Sequence, residues 1–122
     1  MIIKKGCNFE SDFRDGNFYV LLRGEIDHHS AVSVRSSIDE KLYELRPKKV
    51  IMDLSKIDFM DSSGLGLIMG RYALMQKLGG DLLVSNPSAR VLKILELSGL
   101  QRIIKIEKTE NKEEERQNED KE

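Results

Sequence analysis

The apolar residues of this chain fall into short runs and spaced series that predict eight elements. Phe18-Tyr19-Val20-Leu21-Leu22 is a compact run ended by Arg23-Gly24. Phe9 and Phe13 precede it across the turn-like Arg14-Asp15-Gly16-Asn17, which predicts a hairpin of two strands. Ala31, Val34, Ile38, Leu42 and Leu45 then recur at steps of three and four, the mark of one buried helix face. Asp27-His28-His29-Ser30 supplies polar residues able to cap that helix, and Arg46-Pro47 ends it, because proline disfavours helical geometry in the residue before it.

Lys49-Val50-Ile51-Met52-Asp53-Leu54 reads as a buried strand, followed by a second helix over residues 63–77 that stops at Gly79-Gly80. Asp81-Leu82-Leu83-Val84-Ser85 is the next strand. Asn86-Pro87-Ser88 opens a third helix with Val91, Ile94, Leu95 and Leu97 expected to face inward. Ser98-Gly99 closes it, and Ile103-Ile104-Lys105-Ile106 is a short last strand. The alternation predicts an α/β domain over residues 1–106, with a central, mostly parallel sheet, helices packed on it and an N-terminal β-hairpin.

Composition narrows the function classes. With 122 residues there is room for one core, and the absence of Trp makes that core mainly aliphatic. A lone Cys7 excludes an internal disulfide; two histidines and one cysteine argue against a metal site. Met1-Ile2-Ile3-Lys4-Lys5 is too short an apolar run for a signal peptide, and no stretch reaches the roughly 18 apolar residues that a membrane span needs. A cytoplasmic protein is expected. Residues 107–122 are wholly polar, with eight acidic and four basic residues, which predicts a charged C-terminal tail of frayed helix or disorder. The rest carries too small and scattered an excess of positive charge for a nucleic-acid surface.

The chemistry concentrates at Asp61-Ser62-Ser63-Gly64, where a strand hands over to a helix. At that end of a parallel sheet, loops from several strands gather. Helix capping explains one such residue, yet three candidates stand in a row. The helix that follows places Leu65, Ile68, Met69, Tyr72 and Met75 on one broad stripe, the expected core face. Gly66 and Gly70 lie about 40° apart on another side, flanked by Leu67 and Leu74. Each glycine costs roughly 1 kcal/mol relative to alanine inside a helix. Two explanations stand open: close packing within the chain, or a surface that a partner's backbone approaches.

Enzyme templates fail one by one. A nucleophile elbow needs glycine where Asp61 stands, and a P-loop needs a Gly-Lys-Ser/Thr that the chain lacks. Gly64-x-Gly66-x-x-x-Gly70 has one residue too many for the dinucleotide fingerprint. His28 and His29 are adjacent and so project differently, and Ser63 has no evident acid–base partner. A nucleotide-binding protein using the glycine-rich turn is the alternative from another class. The residues favour a binding module without catalysis, cofactor or small-molecule ligand.

Phe59-Met60-Asp61-Ser62-Ser63-Gly64-Leu65-Gly66, Gly70-Arg71-Tyr72 and Gly79-Gly80 resemble the STAS domain of bacterial anti-sigma factor antagonists. Gly24-Glu25-Ile26-Asp27-His28-His29 and Leu97-Ser98-Gly99-Leu100 resemble two further segments of that family, in the same order. The double histidine and Gly-Arg-Tyr are most similar to the sporulation branch that acts on anti-sigma F factors. The resemblance implies a single STAS domain and a partner-switching cycle. In that cycle the unphosphorylated protein binds an anti-sigma factor that is also a serine kinase, freeing the sigma factor. The kinase then phosphorylates the second serine, here Ser63, and a metal-dependent serine phosphatase reverses it. A general-stress sigma factor is the variant reading. The implied partner surface is Asp27, His28, Asp61, Ser62, Ser63, Gly64, Gly66, Leu67 and Gly70.

A phosphate adds about −1.5 to −2 charges at neutral pH. At a helix N-terminus it meets a favourable dipole, so the fold should tolerate it. Beside Asp58 and Asp61, in a surface that must lie against a partner, it is expected to cause release by repulsion and desolvation.

Overall fold

The computed structural model describes residues 7–109, with side chains from residue 8. Its elements are β1 (Cys7–Arg14), β2 (Asn17–Ile26), α1 (His28–Leu45), β3 (Lys49–Met60), α2 (Ser62–Lys77), β4 (Asp81–Ser85), α3 (Ala89–Ser98), a 3-10 turn (Leu100–Arg102) and β5 (Lys105–Glu107). The strands form one five-stranded sheet in the order β1-β2-β3-β4-β5. β1 is antiparallel to β2, and every other neighbour is parallel. The mixed, mostly parallel sheet and the hairpin are as expected. The hairpin turn puts Asp15 (φ 54°) and Gly16 (φ 82°) in the left-handed region, the Asp-Gly pattern of a type I′ turn.

Strand pleating sorts the core. Phe18, Val20, Leu22, Val50, Met52, Leu54, Leu82 and Val84 share the face that meets the helices and are buried. Val34, Ile38 and Leu42 of α1, Ile68 and Met75 of α2, and Val91 and Leu95 of α3 close over them. Tyr19, Ile51, Asp53 and Leu83 alternate with the strand core residues and line a shallow cavity of about 320 Å³ on the opposite face.

Four sequence expectations change. β2 continues past Arg23-Gly24 to Ile26, because register shifts against β3 at Leu21/Arg23 and Gly24/Glu25 absorb the irregularity. β3 likewise runs beyond Leu54 to Met60, burying Ile57 and Met60 on the far side of exposed Ser55 and Lys56. Leu97 does not face inward: it is 80% exposed, since it lies about 200° around the helix from buried Leu95. The last strand is Lys105–Glu107 rather than one beginning at Ile103. Glu107 is thus in the sheet, and Thr109 just beyond it donates its N–H to the Asn86 side chain at 2.8 Å. The remainder of the expected tail lies outside the described residues.

Candidate functional site at the paired helix N-termini

β2 and β3 end side by side, with Ile26 in register with Met60. The Asp61 N–H donates to the Ile26 carbonyl at 3.3 Å, fastening the two strand ends together. The next residue of each strand is therefore a helix cap: Asp27 for α1 and Asp61 for α2. Two helix N-termini open at the same end of the sheet, and α1 and α2 run from there in contact.

Asp27 forms a capping box. Its Oδ1 accepts the Ser30 N–H at 2.9 Å, and Ser30 Oγ accepts the Asp27 N–H at 3.0 Å. The backbone hydrogen bond from Ser30 leads the causes that hold the Asp27 carboxyl below its ordinary pKa. Asp61 Oδ1 accepts the Ser63 N–H at 2.7 Å. This resolves the over-supplied motif: Asp61 caps, Ser62 is exposed, and Ser63 is half-buried with its hydroxyl in none of the hydrogen bonds of the described residues.

Gly64 is buried because α2 begins directly on the end of β3. A Cβ at this position would run into the Met60 side chain, at Cγ and at Sδ. Gly66 and Gly70 differ. A Cβ at either would meet nothing within 4 Å, so packing within the described chain does not explain them. The core face of α2 is also rotated from the expected one. It comprises Gly64, Leu67, Ile68, Arg71 and Met75, with Leu65, Met69 and Tyr72 only partly buried. α2 packs on both the sheet and α1, and its apolar residues surround most of its circumference, so periodicity alone did not locate the buried side. Leu67, expected beside the glycines on a partner surface, is 3% exposed and belongs to the core. Gly64 is likewise a packing residue.

Ser63, Leu67 and Arg71 follow one another at four-residue steps along the side of α2 nearest α1. Arg71 Nε pairs with Asp39 Oδ1 of α1 at 2.6 Å, and Arg71 Nη1 donates to the Leu67 carbonyl at 3.3 Å. Burial is the leading cause that lowers the Arg71 pKa; Asp39 opposes it, and nearby Arg35 adds to it. Toward the N-terminal ends the two helices part. There His28, Ala31, Val32 and Arg35 face Ser63, Gly66 and Leu67 across a cavity of about 250 Å³. Ala31, Val32 and Arg35 were not among the expected site residues, although steps of three, four and seven from His28 carry the signal. Phe59, 45% exposed next to the Met60-Asp61 junction, is a further apolar residue at this end. Among the described residues no group of three or more His, Cys, Asp or Glu could hold a metal ion, and no helix is long and apolar enough to cross a membrane.

This architecture, a mixed sheet with a capped Asp-Ser-Ser-Gly helix start beside a second capped helix, is a STAS fold, and residues 8–113 match the STAS domain family. The chain belongs to that family. It is 38% identical over 97 residues to an anti-sigma F factor antagonist of Paenibacillus polymyxa, covering 80% of this chain and 83% of that one. An anti-sigma-B factor antagonist of Bacillus subtilis is 33% identical over 101 residues, 81% of this chain and 89% of the relative. Among solved structures, the anti-sigma factor antagonist SpoIIAA in its unphosphorylated form superposes with a TM-score of 0.75 at 28% identity, covering 87% of this chain and 91% of that one. The phosphorylated form of the Bacillus cell fate determinant SpoIIAA gives 0.69 at 26%, over 90% and 98% of the two chains.

Proposed function

We propose that this protein is an anti-sigma factor antagonist of the sporulation type, a binding module that is a substrate of its partner and not an enzyme. In its unphosphorylated form it binds an anti-sigma factor with serine kinase activity and releases the sigma factor. The contact surface is Asp27, His28, Asp61, Ser62, Ser63, Gly66 and Gly70, together with the α1 side of the groove. Phosphorylation of Ser63 ends binding, and a metal-dependent serine phosphatase reverses it.

The observation that carries this reading is the division of labour at the α2 start. Asp61 satisfies the Ser63 N–H, which leaves the Ser63 hydroxyl uncommitted at the edge of a groove and beside two glycines with open space in front of them. Solved relatives with this fold in both unphosphorylated and phosphorylated forms support a modification that the fold survives. The higher identity to an anti-sigma F factor antagonist favours that branch; the anti-sigma-B relative supports the general-stress variant.

The test is incubation with ATP and the cognate anti-sigma kinase, followed by intact mass and peptide mapping. One phosphate on Ser63 is expected, with affinity for the kinase reduced at least about 100-fold, equivalent to about 2.7 kcal/mol. Ser63→Ala should bind and remain unmodified. Phosphate on Ser62 or elsewhere, or undiminished binding after modification, would overturn the proposal.

A further inference from the structure

Asp58 and Asp61 beside Ser63 argue that a phosphate there is exposed to repulsion alone. The groove adds a charge of the other sign. Arg35 lines the same 250 Å³ cavity as Ser63, from the opposite helix. Its guanidinium takes part in no ion pair among the described residues. Asp39, one turn along α1 from Arg35, is held by Arg71 at 2.6 Å. Arg35 and Arg71 against Asp39 leave this part of the α1–α2 seam with an excess of one positive charge. Burial leads the lowering of the Arg71 pKa, and repulsion from Arg35 adds to it.

We propose that Arg35 is the intramolecular receptor for the phosphate on Ser63, clamping it across the α1–α2 groove with His28 at the mouth. The proposal rests on the reading of Ser63 as the modified residue and adds what the protein does with the modification. Guanidinium presents a fork of donors that matches phosphate oxygens. The cavity has room for the group, at several times the roughly 30 Å³ that one water occupies in the liquid. A clamped phosphate occupies part of the space between the helices and consumes the one arginine that lines it among the described residues. A partner that inserts a group there then loses both the space and the charge. Release therefore comes from occlusion of the groove as well as from repulsion. Ser63→Asp, with a shorter side chain and a single charge, mimics the switch only in part.

The test uses the full chain with phosphoserine placed at position 63 during translation, so that no kinase is needed. The probe is the second ionisation of that phosphate, followed by ³¹P NMR from pH 4 to 9. Arg35→Gln should raise this pKa by about 0.5 or more, the size expected of losing one unit charge at close range in water. Arg35→Lys should restore part of the difference. Arg90→Gln, on α3 and outside the cavity, should leave the pKa unchanged. Equal values in wild type and Arg35→Gln, or the same change in Arg90→Gln, would overturn the clamp. Thermal midpoints of the unphosphorylated variants confirm that each is folded. Failure of the kinase to modify Ser63 would instead remove the proposed function while leaving this measurement readable.

Discussion

Asp61 and Ser63 are joined by a 2.7 Å hydrogen bond in which the backbone N–H of the serine donates to the carboxylate of the aspartate. The bond separates two tasks within one short motif. Asp61 caps the first turn of α2 by accepting a backbone N–H, and the Ser63 hydroxyl takes part in no hydrogen bond among the described residues. Under the proposed cycle, that separation lets Ser63 gain and lose a phosphate while the cap hydrogen bond holds the helix start.

Substitutions at Asp61 can therefore divide cap from charge. Asp61→Asn keeps an oxygen acceptor and should change stability by no more than about 0.5 kcal/mol, whereas Asp61→Ala should cost about 1 kcal/mol. Urea midpoints of the unphosphorylated proteins measure this. Equal losses in the two variants would show that the hydrogen bond is not what the carboxylate contributes.

The Arg71–Asp39 pair fixes the distance between α1 and α2 two turns below Ser63. Arg71 is 8% exposed at its side chain and Asp39 28%, so solvent screens the pair only in part. Asp39→Ala strands a buried guanidinium and is expected to cost about 2 kcal/mol, below the 3–5 typical of fully buried pairs. Arg71→Met in the same background should recover much of that loss, because the apolar chain fills the space without a charge to satisfy. Denaturant unfolding of the two single variants and the double variant closes the cycle; strictly additive losses would mean that the pair is not coupled.

Asp27 gives the chain a defined acid sensitivity. Its carboxyl is held below the ordinary value, chiefly by the Ser30 N–H; desolvation opposes this, and the Ser30 hydroxyl and His29 add to the lowering. A depressed carboxylate stabilises the fold fully above its unfolded pKa, and that contribution is lost as pH falls through the folded value. The loss should begin below about pH 4. Thermal midpoints followed from pH 6 to 2.5 should fall more steeply for wild type than for Asp27→Asn, which retains an acceptor but does not titrate. Parallel curves would place the acid sensitivity elsewhere.

The sequence made α1 and the Asp-Ser-Ser-Gly motif legible for different reasons. Val34, Ile38 and Leu42 stand out because their helix has one apolar face and a polar remainder, so spacing and burial agree. The motif stands out by composition, but which of its residues caps and which is left over is a matter of a single hydrogen bond that composition does not encode. α2 was misread because Leu65, Leu67, Ile68, Met69, Tyr72, Leu74 and Met75 surround it, and because it buries Arg71, a residue that patterning assigns to solvent. Arg35 was invisible as a site residue for the converse reason. On its own helix it is one exposed basic residue among polar neighbours, and only the packing of α2 opposite gives it a position facing Ser63.

Gly66 and Gly70 offer the sharpest distinction between folding and binding. A methyl group at either position meets open space, while one at Gly64 meets the Met60 side chain. Gly64→Ala should therefore destabilise by roughly 1–3 kcal/mol, through displacement of Met60 from the core. Gly66→Ala and Gly70→Ala should each stabilise the isolated protein by about 0.5–1 kcal/mol, since alanine restricts the unfolded chain and favours the helix. If the glycine face is where the anti-sigma factor rests, the same two methyl groups hold the partner's surface off the helix, and affinity should drop by tenfold or more even as the melting temperature rises. Calorimetric unfolding and titration with the partner, run on the same preparations, measure both quantities. A rise in stability with unchanged affinity would remove Gly66 and Gly70 from the interface. A loss of stability in either variant would show that they pack against something in the chain after all.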